Sequence, residues 1–129
     1  MNLQIGELAK RTACPVVTIR YYERIGLMPR APRDDAGHRD YDDKALIWIT
    51  FIGHMKAAGM PIREMLAYAH LRARGDATAP ERAAILRARR DQVALRITRL
   101  QGTLSVLDTK IAGYGAFPER TDNDTGNTT

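Results

Sequence analysis

The chain has 129 residues, 44% of them hydrophobic but only 6% aromatic, and a formal net charge of +5. That size bounds it to one domain, or a small domain with an extension, and leaves aliphatic side chains to fill the core. The positive balance favours polyanionic partners, nucleic acid above all. No apolar run approaches the roughly 18–20 residues of a membrane span, so no membrane partner is expected.

Residues 4 to 12 place Ile5, Leu8 and Ala9 at helical spacing, with Lys10 and Arg11 outside. Ala13-Cys14-Pro15 makes a tight turn, and the next helix carries Thr18-Ile19-Arg20-Tyr21-Tyr22-Glu23 and then Arg24-Ile25-Gly26-Leu27. Pro15 suits a first helical turn, and Gly26 suits the left-handed residue that closes the helix. At 100° per residue Ile19, Tyr22 and Ile25 turn one way. Val16, Val17, Arg20, Tyr21 and Arg24 turn the other, giving a face unusually basic and aromatic for plain solvent exposure. Two short helices joined this way form a helix-turn-helix, whose second member enters the major groove. There arginine reads guanine edges or holds phosphates, and tyrosine hydrogen-bonds the backbone. The competing reading is a surface helix with a chance pair of arginines.

Between Met28 and Tyr41 two prolines forbid a helix, and Asp35-Ala36-Gly37 is a turn signal between two extended arms. A small hairpin, or wing, is expected, with Arg30, Arg33, His38 and Arg39 near its tip to grip phosphates; a solvated loop is the plain alternative. Asp42 or Asp43 can cap the next helix, the most apolar stretch of the chain, which runs from Ala45 past Trp48 to Met55 and ends at Lys56 and Gly59. Pro61 opens another helix running to Leu71. Gly75 to Pro80 marks a boundary.

From Ala79 to about Tyr114 one periodicity is unbroken: Ala83, Leu86, Arg90, Val93, Ile97, Leu100, Leu104, Leu107, Ile111 and Tyr114 alternate three and four residues apart. This is a coiled-coil seam more than four heptads long, and pairing with a second copy is the simplest way to cover it. The domains expected are therefore 1–75, a DNA-binding head, and 79–115, a dimerisation helix. Residues 116–129 are expected to form a polar, disordered tail.

Cys14, the single cysteine, excludes an intramolecular disulfide and suits a reducing cytoplasm. Met1-Asn2-Leu3-Gln4 lacks the basic and apolar regions of a signal peptide, so a cytoplasmic location is expected. As a thiol before a helix N-terminus, Cys14 is a possible sensor; the plainer reading is a small packed residue. His54 and His70 divide in the same way between ligand and structural roles. There is no glycine-rich phosphate loop, paired-carboxylate motif or nucleophile elbow, so neither an enzyme nor a cofactor or metal site is expected.

The signature Thr18-Ile19-Arg20-Tyr21-Tyr22-Glu23 with Gly26-Leu27, the wing run Gly37-His38-Arg39-Asp40-Tyr41 and the later Met55-Lys56-Ala57-Ala58-Gly59 closely resemble the MerR family of bacterial transcriptional regulators, across about residues 3 to 115. The resemblance implies a mostly α fold: a winged helix-turn-helix followed by a long dimerisation helix in an antiparallel coiled coil. It also implies a homodimer, held here by Leu86, Val93, Ile97, Leu100, Leu104, Leu107 and Ile111, on a pseudo-palindromic operator in promoter DNA. Such a dimer distorts the promoter spacer so that RNA polymerase engages both promoter elements. Val17, Thr18, Arg20, Tyr21 and Tyr22 would serve the recognition helix and Arg33, His38, Arg39 and Tyr41 the wing, while Lys56 would contact the backbone. Metal-responsive members carry paired cysteines after the dimer helix, which this sequence lacks, and no appended drug-binding domain is expected. The runs 37–42, 48–55 and 107–111 resemble the short aldehyde-stress branch, which commonly has a reactive cysteine where this chain reads His54. A competing class is a protein-interaction module that docks a partner through its basic head and long helix.

Overall fold

The computed structural model describes residues 2–115; the polar tail lies outside them. Five α-helices follow in order: α1 (Ile5–Thr12), α2 (Val16–Arg24), α3 (Asp43–Ala57), α4 (Ile62–Ala73) and α5 (Ala79–Tyr114), with a single 3-10 turn, Asp76–Thr78, ahead of α5. The helix stops follow from local chemistry. Gly26 and Gly59 take left-handed conformations (φ 84° at each) just past α2 and α3. Asp42 caps α3, its side chain accepting from the Ala45 amide at 3.0 Å. Pro15 and Pro61 precede α2 and α4, where no helical N–H is needed. The turn between α1 and α2 is less accommodating. Ala13 is left-handed (φ 55°) although it carries a Cβ, which costs roughly 1–2 kcal/mol and is held by the Cys14 amide donating to the Ala9 carbonyl at 3.2 Å.

The wing is a short hairpin. Asp34 and His38 pair through the Asp34 amide and His38 carbonyl (2.7 Å), and the Asp40 amide donates to the Pro32 carbonyl (2.8 Å). Asp34 also organises the tip, accepting from the Ala36 and His38 amides. Gly37 is left-handed at φ 86°, as that turn requires. Leu3 and Tyr41 exchange both backbone hydrogen bonds (2.6 and 2.7 Å), tying the start of the chain to the end of the wing.

One core joins these pieces: Leu8, Ile19, Tyr22, Leu27, Tyr41, Trp48, Ile49, Ile52, Met55, Met65 and Tyr68 are all buried. The Trp48 indole donates to the Leu27 carbonyl (2.9 Å), and its ring stacks on Tyr68 with centroids 6.0 Å apart.

The compact unit extends further than the sequence suggests. It runs to Asp91, and a second unit begins at Gln92 within the continuous α5. The Gly75–Pro80 stretch, expected as a boundary between 1–75 and 79–115, is a knitted corner. Buried Thr78 has its hydroxyl within 2.6 Å of the Leu71 carbonyl and 2.8 Å of the Gly75 carbonyl, and it accepts from the Arg82 guanidinium. The first turns of α5 remain with the head because Ile85 and Leu86 pack against its core and Arg89 pairs with Glu64 at 3.1 Å. Composition marks a break at Gly75, whereas side-chain packing carries the compact unit on to Asp91.

Candidate nucleic-acid interface

The periodicity of α2 sorts its side chains as expected. Ile19 and Tyr22 are buried, while Val17, Arg20, Tyr21 and Arg24 are exposed and Thr18 is half-buried. Val17 is 73% exposed. The Arg24 guanidinium lies 5.4 Å from the Tyr21 ring centroid, within cation–π range, which orders both side chains on the outer face.

Between α2 and the wing is a cleft of about 490 Å³. Arg20 and Arg24 line it from the helix; Arg30, Arg33, His38 and Arg39 line it from the wing. Two of the wing arginines are fixed by backbone carbonyls. Arg33 Nη1 donates to Gly37 at 2.6 Å and Arg39 Nη1 to Ala31 at 2.7 Å. Each spends one donor on the hairpin and keeps the rest of its fork. Five guanidiniums on one concave surface, opposed there by Glu23 alone, form a receptor for polyanion.

Glu23 is the residue that residue-type reasoning passed over. Its Oε2 accepts from the Tyr41 hydroxyl (3.0 Å) and from the Ala31 amide (3.2 Å), so a single carboxylate on α2 holds both arms of the wing. The signal was present: one acid among the arginines of a basic helix. Tyr22 and Tyr41, expected at the DNA, lie in the core instead, 5% and 1% exposed. Tyr22 is the inner-face neighbour of Ile19, and Tyr41 is the last residue of the wing, turned onto Glu23. Burial, reinforced by the charge and hydrogen bond of Glu23 and partly offset by Arg39 and Arg20, pushes the Tyr41 phenol up to about 12.

Lys56 is exposed in the last turn of α3 and is not among the residues lining the cleft. Cys14 is half-buried; burial pushes its thiol up, and the Lys56 ammonium only partly opposes this. Cys14 should therefore stay protonated at neutral pH. Iodoacetamide is expected to label it slowly in the native protein and rapidly after unfolding, as followed by mass spectrometry; rapid native labelling would show a reactive thiolate. Among the described residues no cluster of three or more His, Cys, Asp or Glu is placed to hold a metal ion, and no helix is long and apolar enough to cross a membrane.

Comparison with known proteins gives this arrangement its family. The family model described as MerR family regulatory protein matches residues 4–41, and the model described as MerR, DNA binding, matches residues 46–110. The chain belongs to the MerR family. It is a transcriptional regulator with a DNA-binding domain, and the proteins it matches are regulators rather than enzymes. It is 40% identical over 91 residues to the HTH-type transcriptional regulator AdhR of Bacillus subtilis, a match taking in 70% of this chain and 65% of AdhR. Its fold is similar to that of a MerR family transcriptional regulator from Listeria monocytogenes, with a TM-score of 0.80, 37% identity and coverage of 88% of this chain and 86% of that one. It is also similar to HiNmlR, a MerR family regulator lacking the sensor domain and bound to promoter DNA, with a TM-score of 0.79, 29% identity and coverage of 89% and 87%. Within this family reading the two MerR models divide the chain at the end of the wing. The basic cleft and the α2 face fall in the first, and Lys56 and the apolar stripe of α5 as far as Leu107 in the second.

Proposed function

We propose that the protein is a cytoplasmic homodimer that binds a pseudo-palindromic promoter operator, each protomer placing α2 in a major groove and its wing on the flanking backbone. The observation that carries this is the arginine-lined cleft between α2 and the wing, together with the exposure of Val17, Arg20 and Tyr21 on α2. Arg20 and Tyr21 reach base edges and adjoining phosphates; Arg33, His38 and Arg39 hold the backbone; Lys56 adds a phosphate contact from the end of α3. Dimerisation through α5 supplies the two-fold axis that a pseudo-palindrome requires. With two heads joined by one coiled coil, a spacer of unfavourable length can be bound only by bending or untwisting it, and the backbone contacts at both heads offset that deformation energy. RNA polymerase then meets realigned promoter elements. The resemblance of residues 37–42, 48–55 and 107–111 to the aldehyde-stress branch extends the reading to stress of that class.

The test is operator binding measured against scrambled DNA over a salt series. Arg20→Ala is expected to cost about 1–3 kcal/mol on operator and to flatten the ratio between operator and scrambled sequence. Lys56→Ala should weaken both by similar factors and lower the salt slope by about one ion. An unchanged specificity ratio in Arg20→Ala would remove α2 from the groove. Equal affinity of the wild type for both DNAs would favour the interaction-module reading instead.

A further inference from the structure

We infer that a second cleft, at the base of the wing, is a binding site for a small organic carboxylate. It encloses about 430 Å³, within the usual range of small-molecule sites. Its walls are apolar where Met28, Pro29, Ala31, Ala45 and Trp48 line it. Its charges are unevenly engaged. The two acids are already occupied: Asp40 accepts from the Asn2 amide at 2.9 Å, and Asp42 caps α3. The three cations, Arg30, Lys44 and Arg72, have no hydrogen bond or ion pair among the described residues.

Arg72 is the centre of the site. Its guanidinium lies over Trp48, 4.3 Å from the ring centroid, and Trp48 is itself fixed by Leu27 and Tyr68. A half-buried guanidinium held in one place with its donors unused is a preorganised partner for a carboxylate, whose two oxygens match the fork. The apolar walls select an anion with a hydrocarbon body over a strongly hydrated inorganic ion. Arg30 and Tyr41 line both this cleft and the one between α2 and the wing, so an occupant here draws on a cation that also faces the DNA side. That coupling rests on the operator-binding reading; the site itself does not. By linkage, a carboxylate that engages Arg30 weakens DNA binding, and DNA weakens the carboxylate.

Trp48 is the only tryptophan, so its emission reports the site without a label. The full-length protein, free of DNA, is titrated at constant ionic strength with benzoate, inorganic phosphate or benzyl alcohol. Benzoate is expected to give a saturable change, and the other two none. Arg72→Leu keeps an apolar cover on Trp48 but removes the anion partner, and its apparent affinity should fall about tenfold or more. Because that substitution also alters the surroundings of Trp48, Lys44→Ala, at an exposed position, serves as the second variant and should weaken the response severalfold with the starting spectrum unchanged. A non-saturable benzoate response, a phosphate response equal to that of benzoate, or full affinity in both variants would overturn the site. In a separate arm, saturating benzoate should lower wild-type operator affinity. Saturable binding to free protein with unchanged operator affinity would overturn the coupling through Arg30, whereas failure to bind operator at all would count against the DNA reading alone.

Discussion

Leu100→Asp combined with Leu104→Asp should give a protein that sediments as a monomer at micromolar concentration and no longer binds operator tightly, while residues 2–91 keep their helical signal. The expectation comes from the stripe on α5. Leu100 and Leu104 are 61% and 58% exposed in the single chain, and Ile97, Leu107 and Ile111 on the same face are also exposed. Packing each such side chain against a partner helix is worth roughly 1.5–3 kcal/mol, so two leucines from each protomer account for a large part of a stable dimer. Aspartate there loses that contribution and adds a carboxylate that must desolvate to pair. The head should survive because its core, from Leu8 to Tyr68, contains neither residue. A double variant that still sediments as a dimer would mean that another surface joins the copies.

Glu23→Ala is expected to lower stability and operator affinity together, although the residue touches no DNA in the proposed complex. The substitution orphans two donors, the buried Tyr41 hydroxyl and the Ala31 amide, at about 1–3 kcal/mol each. It also releases both wing arms from α2, so the cleft arginines lose their fixed spacing. Glu23→Gln keeps an acceptor without the charge and should fall between. Alkaline pH gives a second readout. The Tyr41 phenol is raised from 10 to about 12, so the folded state holds it neutral after the unfolded chain has begun to ionise. Its contribution is complete below about pH 10 and is lost as pH rises through 12. Glu23→Gln removes the anion's share of the shift and leaves that of burial, so its decline in stability over this window should be shallower than in wild type. Unfolding midpoints between pH 7 and 11.5 would check this; equal slopes would show that Glu23 does not hold Tyr41.

Much of the architecture follows from properties that are local in the chain. A glycine past α2, an aspartate before α3 and prolines before α2 and α4 act within one helical turn, so their positions alone predict where helices begin and stop. The split of α2 into Ile19 and Tyr22 against Arg20, Tyr21 and Arg24 is equally local, because 100° per residue is a property of the backbone. The α5 periodicity has the same origin and needs no neighbour to be read. The family signature rests on the same runs.

The remainder depends on what meets across the fold. No spacing rule brings Glu23 to Tyr41, eighteen residues away, or predicts that the tyrosine ending a basic wing is buried while an acid on the recognition helix bridges the wing's two arms. Composition places a boundary at Gly75, since glycine, threonine and proline cluster there. Packing of Ile85 and Leu86 and the Arg89–Glu64 pair carry the unit to Asp91 instead, because domain limits are set by which side chains exclude water together. Ala13 is read from the sequence as part of a turn, but its left-handed backbone (φ 55°), uncommon for a residue with a Cβ, appears only in the structure. By itself the sequence determined helices, faces and family, which short-range sterics and periodicity control. The tertiary structure decided which charges are paired, which tyrosines are buried and which cations lie around Trp48, because those depend on distances between residues far apart in the chain.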